Sequence, residues 1–229
     1  MASALDLALS HVASWVRFGS GGRVGRLGPR PEHLLELYEF EGCPFCRKVR
    51  EALSILDLDA IVHPCPKGGP RFRPELVARG GKARFPYLVD PNQGVELYES
   101  DDILRHLVEH YGDGRLPPAL SAGPLTDLGA VGVGLLRGKA GSFYRPAKPP
   151  EQRLELFSFE ASPACRLVRE RLSVLELPYV LRNRAPGSRR PLPPGVGRGD
   201  LPHLVDPNAG EALSGADAVL HHLDARYTA

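Results

Sequence analysis

EFEGCPFCRKVREAL, residues 39–53, returns in altered form as SFEASPACRLVRERL, residues 158–172. The first copy carries two cysteines around Pro44 and Phe45. The second keeps Cys165 but has Ser162 in the leading position. The likeness runs outward on both sides. Residues 35–58 against 154–177 give 15 identities in 24 positions, and residues 85–111 against 201–227 give 13 in 27. Two such blocks in the same order mark a duplicated module of roughly eighty residues, too long for a short-period solenoid. The offset changes from 119 to 116 between the blocks, a difference that a surface loop absorbs.

Each copy reads as the same string of elements. LELYEF (35–40) alternates apolar and polar residues as a strand does. After the CPFC turn, Val49, Ala52, Leu53 and Leu56 recur at helical spacing. AIVHPC (60–65) reads as a second strand, followed by a Pro/Gly-rich loop and a short helix near 74–79. FPYLVD and GVELYE flank PNQG, a hairpin turn, and SDDILRHLVEHY (100–111) closes the module as a helix with an acidic first turn. The order is βαβαββα. An opening βαβ favours a parallel pair with a right-handed crossover, and the hairpin adds antiparallel strands.

The expected architecture is therefore α/β: two tandem modules with mixed four-stranded sheets flanked by helices, plus an N-terminal helix. The expected boundaries are an N-terminal amphipathic helix and basic segment at 1–33, the first module at 34–112, a linker at 113–152 and the second module at 153–229.

The remaining composition narrows the function. The 229 residues carry a net charge of +2, which leaves no overall footprint for nucleic acid. Four cysteines do not make a disulfide framework, and a C-x-x-C pair in a reducing compartment points to redox or metal chemistry. No apolar run is long enough to span a bilayer.

The βαβαββα order, with C-P-F-C at the first strand–helix turn, resembles the thioredoxin-like fold, and within it the glutaredoxin and glutathione-transferase N-terminal branch. Phe85-Pro86 before a strand and Glu99-Ser100 opening the last helix carry the same resemblance. It implies that Pro86 is cis and faces the active cysteine, and that Glu99 and Ser100 hold the γ-glutamyl end of glutathione, with Phe45 and Phe85 completing the glutathione-binding set. The tandem order and the SFYRPAKPP run before the second copy are similar to plant and algal plastid proteins with two such domains, which implies a plastid location.

The chemistry of Cys43 can be argued from the residues themselves. A cysteine at a helix N-terminus lies beside unpaired N–H groups and the positive end of the helix dipole, which favour thiolate. Cys43 is expected at the exposed edge of the first turn, with Arg47 and Lys48 adding positive potential. Cys46, one turn in, is expected to be shielded. Cys43 then attacks, and Cys46 resolves the mixed disulfide. Pro44 suits the first helical position. Ser100 and the amides behind it form a carboxylate site, so that glutathione as co-substrate lies between Ser100 and Cys43.

Other readings stay open. C-x-x-C is also a zinc half-site, with His63 and Cys65 as possible further ligands, but no second pair completes it and no metal is expected. An iron–sulfur cluster bridged through Cys43 and glutathione is a further alternative, by analogy with some glutaredoxins. Glu99-Ser100 also suits simple helix capping. Cys65 reads as a passive thiol.

The second copy differs at each of these points. Ser162 replaces Cys43, Ala164 replaces Phe45, Gly215 replaces Glu99 and Ala216 replaces Ser100, while Pro202 and the framework around it persist. Ser162, Cys165 and Pro202 thus mark a degenerate second site on a retained scaffold. Residues 113–152 are too short and too rich in Gly and Pro to form the helical second domain of a standard glutathione transferase. The expected function is a glutathione-linked dithiol oxidoreductase acting on protein thiols or disulfides through the first module. The alternatives are a non-enzymatic scaffold, or a transferase-like or iron–sulfur-binding protein. The N-terminal stripe of Leu5, Leu9, Val12 and Val16, followed by arginines, suits docking on the modules, peripheral membrane contact or a remnant near a transit sequence.

Overall fold

The computed structural model describes residues 21–116, Leu120 and residues 140–229. Of the N-terminal helix and basic segment expected at 1–33, residues 1–20 lie outside the described residues and 21–33 hold no helix; the single helix allowed within 125–141 also lies outside them, apart from the Ala140–Gly141 turn. Among the described residues no helix is long and apolar enough to cross a membrane.

The first module runs β1 (Leu35–Glu39), α1 (Pro44–Ile55), β2 (Ala60–Pro64), α2 (Phe72–Gly80), β3 (Tyr87–Asp90), β4 (Val95–Tyr98) and α3 (Ser100–Tyr111). The second runs β5 (Leu154–Ser158), α4 (Pro163–Val174), β6 (Tyr179–Asn183), β7 (His203–Asp206), β8 (Glu211–Ser214) and α5 (Ala216–Tyr227). One expected element is missing from the second module. In place of a counterpart to α2 there is a 3-10 turn, Arg198–Asp200. The cause is local: RAPGSRRPLPPGVGRGD (184–200) is interrupted by prolines and glycines, which forbid a continuous helix.

β1 pairs parallel with β2 and antiparallel with β3, and β5 repeats this with β6 and β7. The two expected four-stranded sheets are not separate. β2 pairs antiparallel with β6, through Ile61 opposite Val180, giving one eight-stranded sheet ordered β4-β3-β1-β2-β6-β5-β7-β8. Each module thereby covers the strand edge that the other would expose.

The cores follow the periodicity. Val49, Ala52, Leu53 and Leu56 meet Leu35, Leu37, Leu88, Ile103 and Leu107 under the first half-sheet, and Val168, Leu172 and Leu175 meet Leu154, Leu156, Leu204 and Leu223 under the second. A repeated polar tie fixes each hairpin to its closing helix. Asp90 accepts from Tyr111 Oη at 2.6 Å and pairs with His106 at 2.8 Å; Asp206 does the same with Tyr227 at 2.7 Å and His222 at 2.8 Å. This accounts for the shared LVDPN framework.

Across the seam the modules meet about a local two-fold. Arg50 Nε donates to Glu160 Oε2 at 3.1 Å, and its counterpart Arg169 Nε donates to Glu41 Oε2 at 3.1 Å. Ser54 Oγ caps Gly21 O at 2.6 Å, and Ser173 Oγ caps Gly141 O at 2.7 Å. The described end of the segment expected to be a linker is thus no free tether. Residues 140–148 form an arm that bridges Lys67 to Phe143 and binds Val174 O and Tyr227 O, while residues 21–28 form the matching arm on Pro186 O, Ile55 O and Tyr111 O. The repeat therefore extends upstream of the blocks that sequence identity marks.

Candidate functional site

β1 ends at Glu39, and the chain turns through Phe40–Gly42 into α1. Cys43 is the N-cap residue with extended backbone, Pro44 takes the first helical position, and the Cys43 thiol accepts the Cys46 N–H at 3.4 Å. The side-chain hydrogen bond from Cys46, assisted by the Cys46 and Phe45 amides, pulls the Cys43 pKa below its usual value against the opposing effect of burial. Burial pushes Cys46 well above the usual thiol range. The two sulfurs are thus poised oppositely, one toward thiolate and one toward thiol.

Two expectations about this turn need correction. Cys43 is not exposed: only 6% of its surface is accessible. The arm at 140–148 packs against the turn so closely that a Cβ on Gly42 would fall 2.0 Å from Ser142 Oγ and 2.9 Å from Ala140 O. Arg47 and Lys48 do not line the thiol either. Helical periodicity carries Arg47 into the seam, where Nε meets Glu51 Oε1 at 3.1 Å, and Lys48 Nζ reaches Asp101 Oδ1 at 2.7 Å. Phe45 does project outward and is 47% exposed.

The Lys48–Asp101 pair ties the cysteine helix to the start of α3. There Ser100 is buried at the first helical position, and Glu99 precedes it with φ 63° and ψ 121°. A non-glycine residue in that region carries a backbone cost of about 1–3 kcal/mol. The Glu99 carboxylate pairs with Arg84 Nη1 at 2.6 Å. Between these elements, Phe85–Pro86 is a cis peptide. The Phe85 ring meets Phe40 edge-on at 5.9 Å, and the Arg73 guanidinium lies 4.7 Å from its centroid.

In the second module the frame persists and the chemistry does not. Leu201–Pro202 is also cis, Ser162 Oγ accepts the Cys165 N–H at 3.3 Å, and Cys165 is fully buried with its pKa raised by desolvation. Gly215 occupies the position of Glu99 at φ 84°, where glycine carries no such cost. Leu167 stands where Lys48 does, so the tie to the closing helix has no ammonium.

The residues raised as further metal ligands are engaged elsewhere. His63 stacks on Tyr38 at 4.4 Å and pairs with Glu36 at 2.8 Å, and the Cys65 thiol donates to His63 O. No group of three or more His, Cys, Asp or Glu suited to a metal occurs among the described residues.

The sequence reading missed Lys48 as a strut, Arg84 as the partner of Glu99, and the buried charges Glu39, Glu41 and Arg50 behind the turn. Glu41/Glu160 and Arg50/Arg169 were visible as charged identities between the copies, a pattern that surface positions do not require.

Comparison with known proteins gives a family match in two stretches. Residues 37–117 and 156–229 match the family described as glutathione S-transferase, N-terminal domain. A solved glutathione transferase of Bombyx mori is similar at 28% identity with a TM-score of 0.33, over 37% of this chain and 38% of that one. The chain therefore spans well under half of that transferase. No curated protein matches the chain.

Proposed function

The chain belongs to the glutathione S-transferase N-terminal domain family, and from that premise we propose that its first module is a glutathione-linked dithiol oxidoreductase. Family membership supports a glutathione-related role in the broad sense. The dithiol reading rests chiefly on one observation, the placement of the thiol pair: Cys43 caps α1 with its sulfur accepting the Cys46 N–H at 3.4 Å, and Cys46 is fully buried behind it. Cys43 as thiolate attacks the sulfur of a glutathionylated protein or a disulfide, and Cys46 resolves the resulting mixed disulfide. Glu99 and Ser100 hold the γ-glutamyl end of glutathione, with Phe45, Phe85 and Pro86 beside it. The second module, without Cys, Glu and Ser at these positions, serves as a non-catalytic partner. A plastid location, implied by the likeness to two-domain plant and algal proteins, belongs to the same proposal.

The burial of Cys43 favours a second reading, in which the first module binds glutathione or a partner without turnover. One experiment separates the two. Wild type and Cys43→Ser are compared in reducing a glutathionylated test protein. The oxidoreductase reading expects turnover that the variant lacks. Equal rates overturn it and leave the binding reading, which glutathione titration of the wild type then measures.

A further inference from the structure

Two exposed aromatic rings belong to segments that meet at the Cys43 turn. Phe45 lies within the turn and is 47% exposed; Phe143, on the arm at 140–148, is 52% exposed, the most of any large apolar side chain among the described residues. The contact between the segments is close. Ser142 is buried against Gly42, the residue before Cys43, where a Cβ would fall 2.0 Å from Ser142 Oγ. Phe143 follows Ser142 and is fixed by a parallel bridge to Lys67: Lys67 N donates to Ser142 O at 2.7 Å, and Tyr144 N donates to Lys67 O at 2.9 Å. The Lys67 ammonium lies 5.7 Å from the centroid of the Phe143 ring, within cation–π reach.

The sheet fixes where this pair stands. β2 runs parallel to β1, and β4 shares that direction because β3 is antiparallel to both β1 and β4. The residues that follow β4, β1 and β2 therefore lie at one end of the sheet, in that lateral order. Glu99 and Ser100 follow β4, Cys43 follows β1 and Lys67 follows β2. The Phe143–Lys67 pair thus flanks the Cys43 turn on the side opposite Glu99 and Ser100. The internal two-fold supplies a control. The arm at 21–28 lies on the second module in the same way, with Val24 N donating to Pro186 O at 2.9 Å where Tyr144 N donates to Lys67 O. There Arg23 stands in the place of Phe143, Pro186 in that of Lys67 and Ala164 in that of Phe45. The scaffold needs none of the three, and they occur together only beside the leading cysteine.

Resting on the oxidoreductase reading above, we propose that Phe143 and Lys67 form the subsite for the protein half of a glutathionylated substrate. Glutathione, held at its γ-glutamyl end by Glu99 and Ser100, reaches Cys43 from the β4 side. The protein half lies on the β2 side, over the arm. Phe143, with Phe45, packs an apolar side chain next to the modified cysteine, and Lys67 takes an acidic one. An acid is selected over a base because residues 66–73 and 140–149 carry five basic side chains and no acid. The second module thereby contributes to the site through the segment that leads into it, without a thiol of its own.

The test uses the full chain with glutathione as reductant and compares kcat/KM for three mixed disulfides of glutathione. One partner is a short peptide with Leu and Glu beside its cysteine, one is a peptide with Ser and Lys there, and one is 2-mercaptoethanol. The last shares the glutathione half and has no flanking residues. Wild type should prefer the Leu/Glu peptide over the Ser/Lys peptide by about 10-fold or more. Phe143→Ala should lower kcat/KM for the Leu/Glu peptide roughly 5- to 20-fold and for the 2-mercaptoethanol disulfide far less, while Phe143→Leu keeps most of the preference. Lys67→Gln should narrow the discrimination between peptides that differ only in Glu or Lys. No preference in wild type, an equal loss on all three substrates in Phe143→Ala, or a preference that Phe143→Ala leaves unchanged overturns the subsite. Unchanged Glu/Lys discrimination in Lys67→Gln overturns the part given to Lys67. Failure of wild type to reduce any of the three overturns the oxidoreductase reading, and this inference with it.

Discussion

Replacing Glu99 with glycine should make the protein more stable than replacing it with alanine, the reverse of the usual order. Both changes remove the Arg84 ion pair, so the comparison isolates the backbone. Glu99 sits at φ 63° and ψ 121°, and its counterpart Gly215 sits at φ 84° and ψ 147°. Relief of that geometry is worth about 1–3 kcal/mol. Glycine gives back about 0.5–1 kcal/mol through the entropy of its unfolded chain. The balance favours glycine over alanine by up to about 2.5 kcal/mol, or up to about 0.8 M in urea midpoint for an m-value near 3 kcal/mol/M. Urea unfolding followed by circular dichroism measures it. A glycine variant less stable than the alanine variant would refute the claim that Glu99 is strained. Glutathione titration tests why a strained residue is kept. If the carboxylate holds the γ-glutamyl end, both variants lose a charge-assisted hydrogen bond of about 1.5–3 kcal/mol, roughly 10- to 100-fold in affinity. A glycine variant that binds as wild type does removes Glu99 from the site.

Three further outcomes are expected. Arg169→Met strips Glu41 of two hydrogen bonds, at 3.1 and 3.2 Å, and should cost about 3–5 kcal/mol in urea unfolding, less if Glu41→Gln is added; a loss under about 1 kcal/mol would show the seam charges to be dispensable. Cys46→Ala removes the first cause of the lowered Cys43 pKa, so the pH profile of Cys43 alkylation should move to higher pH; an unmoved profile would assign the poise to the backbone amides alone. Ser162→Cys rebuilds C-x-x-C in the second module but leaves Gly215 and Ala216 in place, so with Cys43→Ser it should not restore reduction of a glutathionylated substrate; restored turnover would contradict the requirement for Glu and Ser at those positions.

Most of the fold was open to reading because its signals are local. Alternation in LELYEF, helical spacing after Cys46 and the PNQG turn each act within a few residues, and β1, α1 and the β3–β4 hairpin appear where they place them. The missing helix of the second module was also legible in principle, since its prolines and glycines are in plain view. The site was legible in its members but not in its surroundings. Cys43 carries the features of an exposed thiolate in sequence, yet the arm that covers Gly42 comes from about a hundred residues away, and no periodicity announces it.

The sequence by itself determined that two copies of one module exist, that each follows a single strand–helix order, and that only the first holds a thiol pair with Glu99 and Ser100. Those facts are residue identities and short-range patterns. Only the tertiary structure decided that β2 meets β6 to make one sheet, that Arg50 and Arg169 reach across to the opposite Glu160 and Glu41, and that Glu39 is buried. A charged residue looks the same in sequence whether water or another copy of the fold faces it. Its burial, and hence its chemistry, is set by what packs against it.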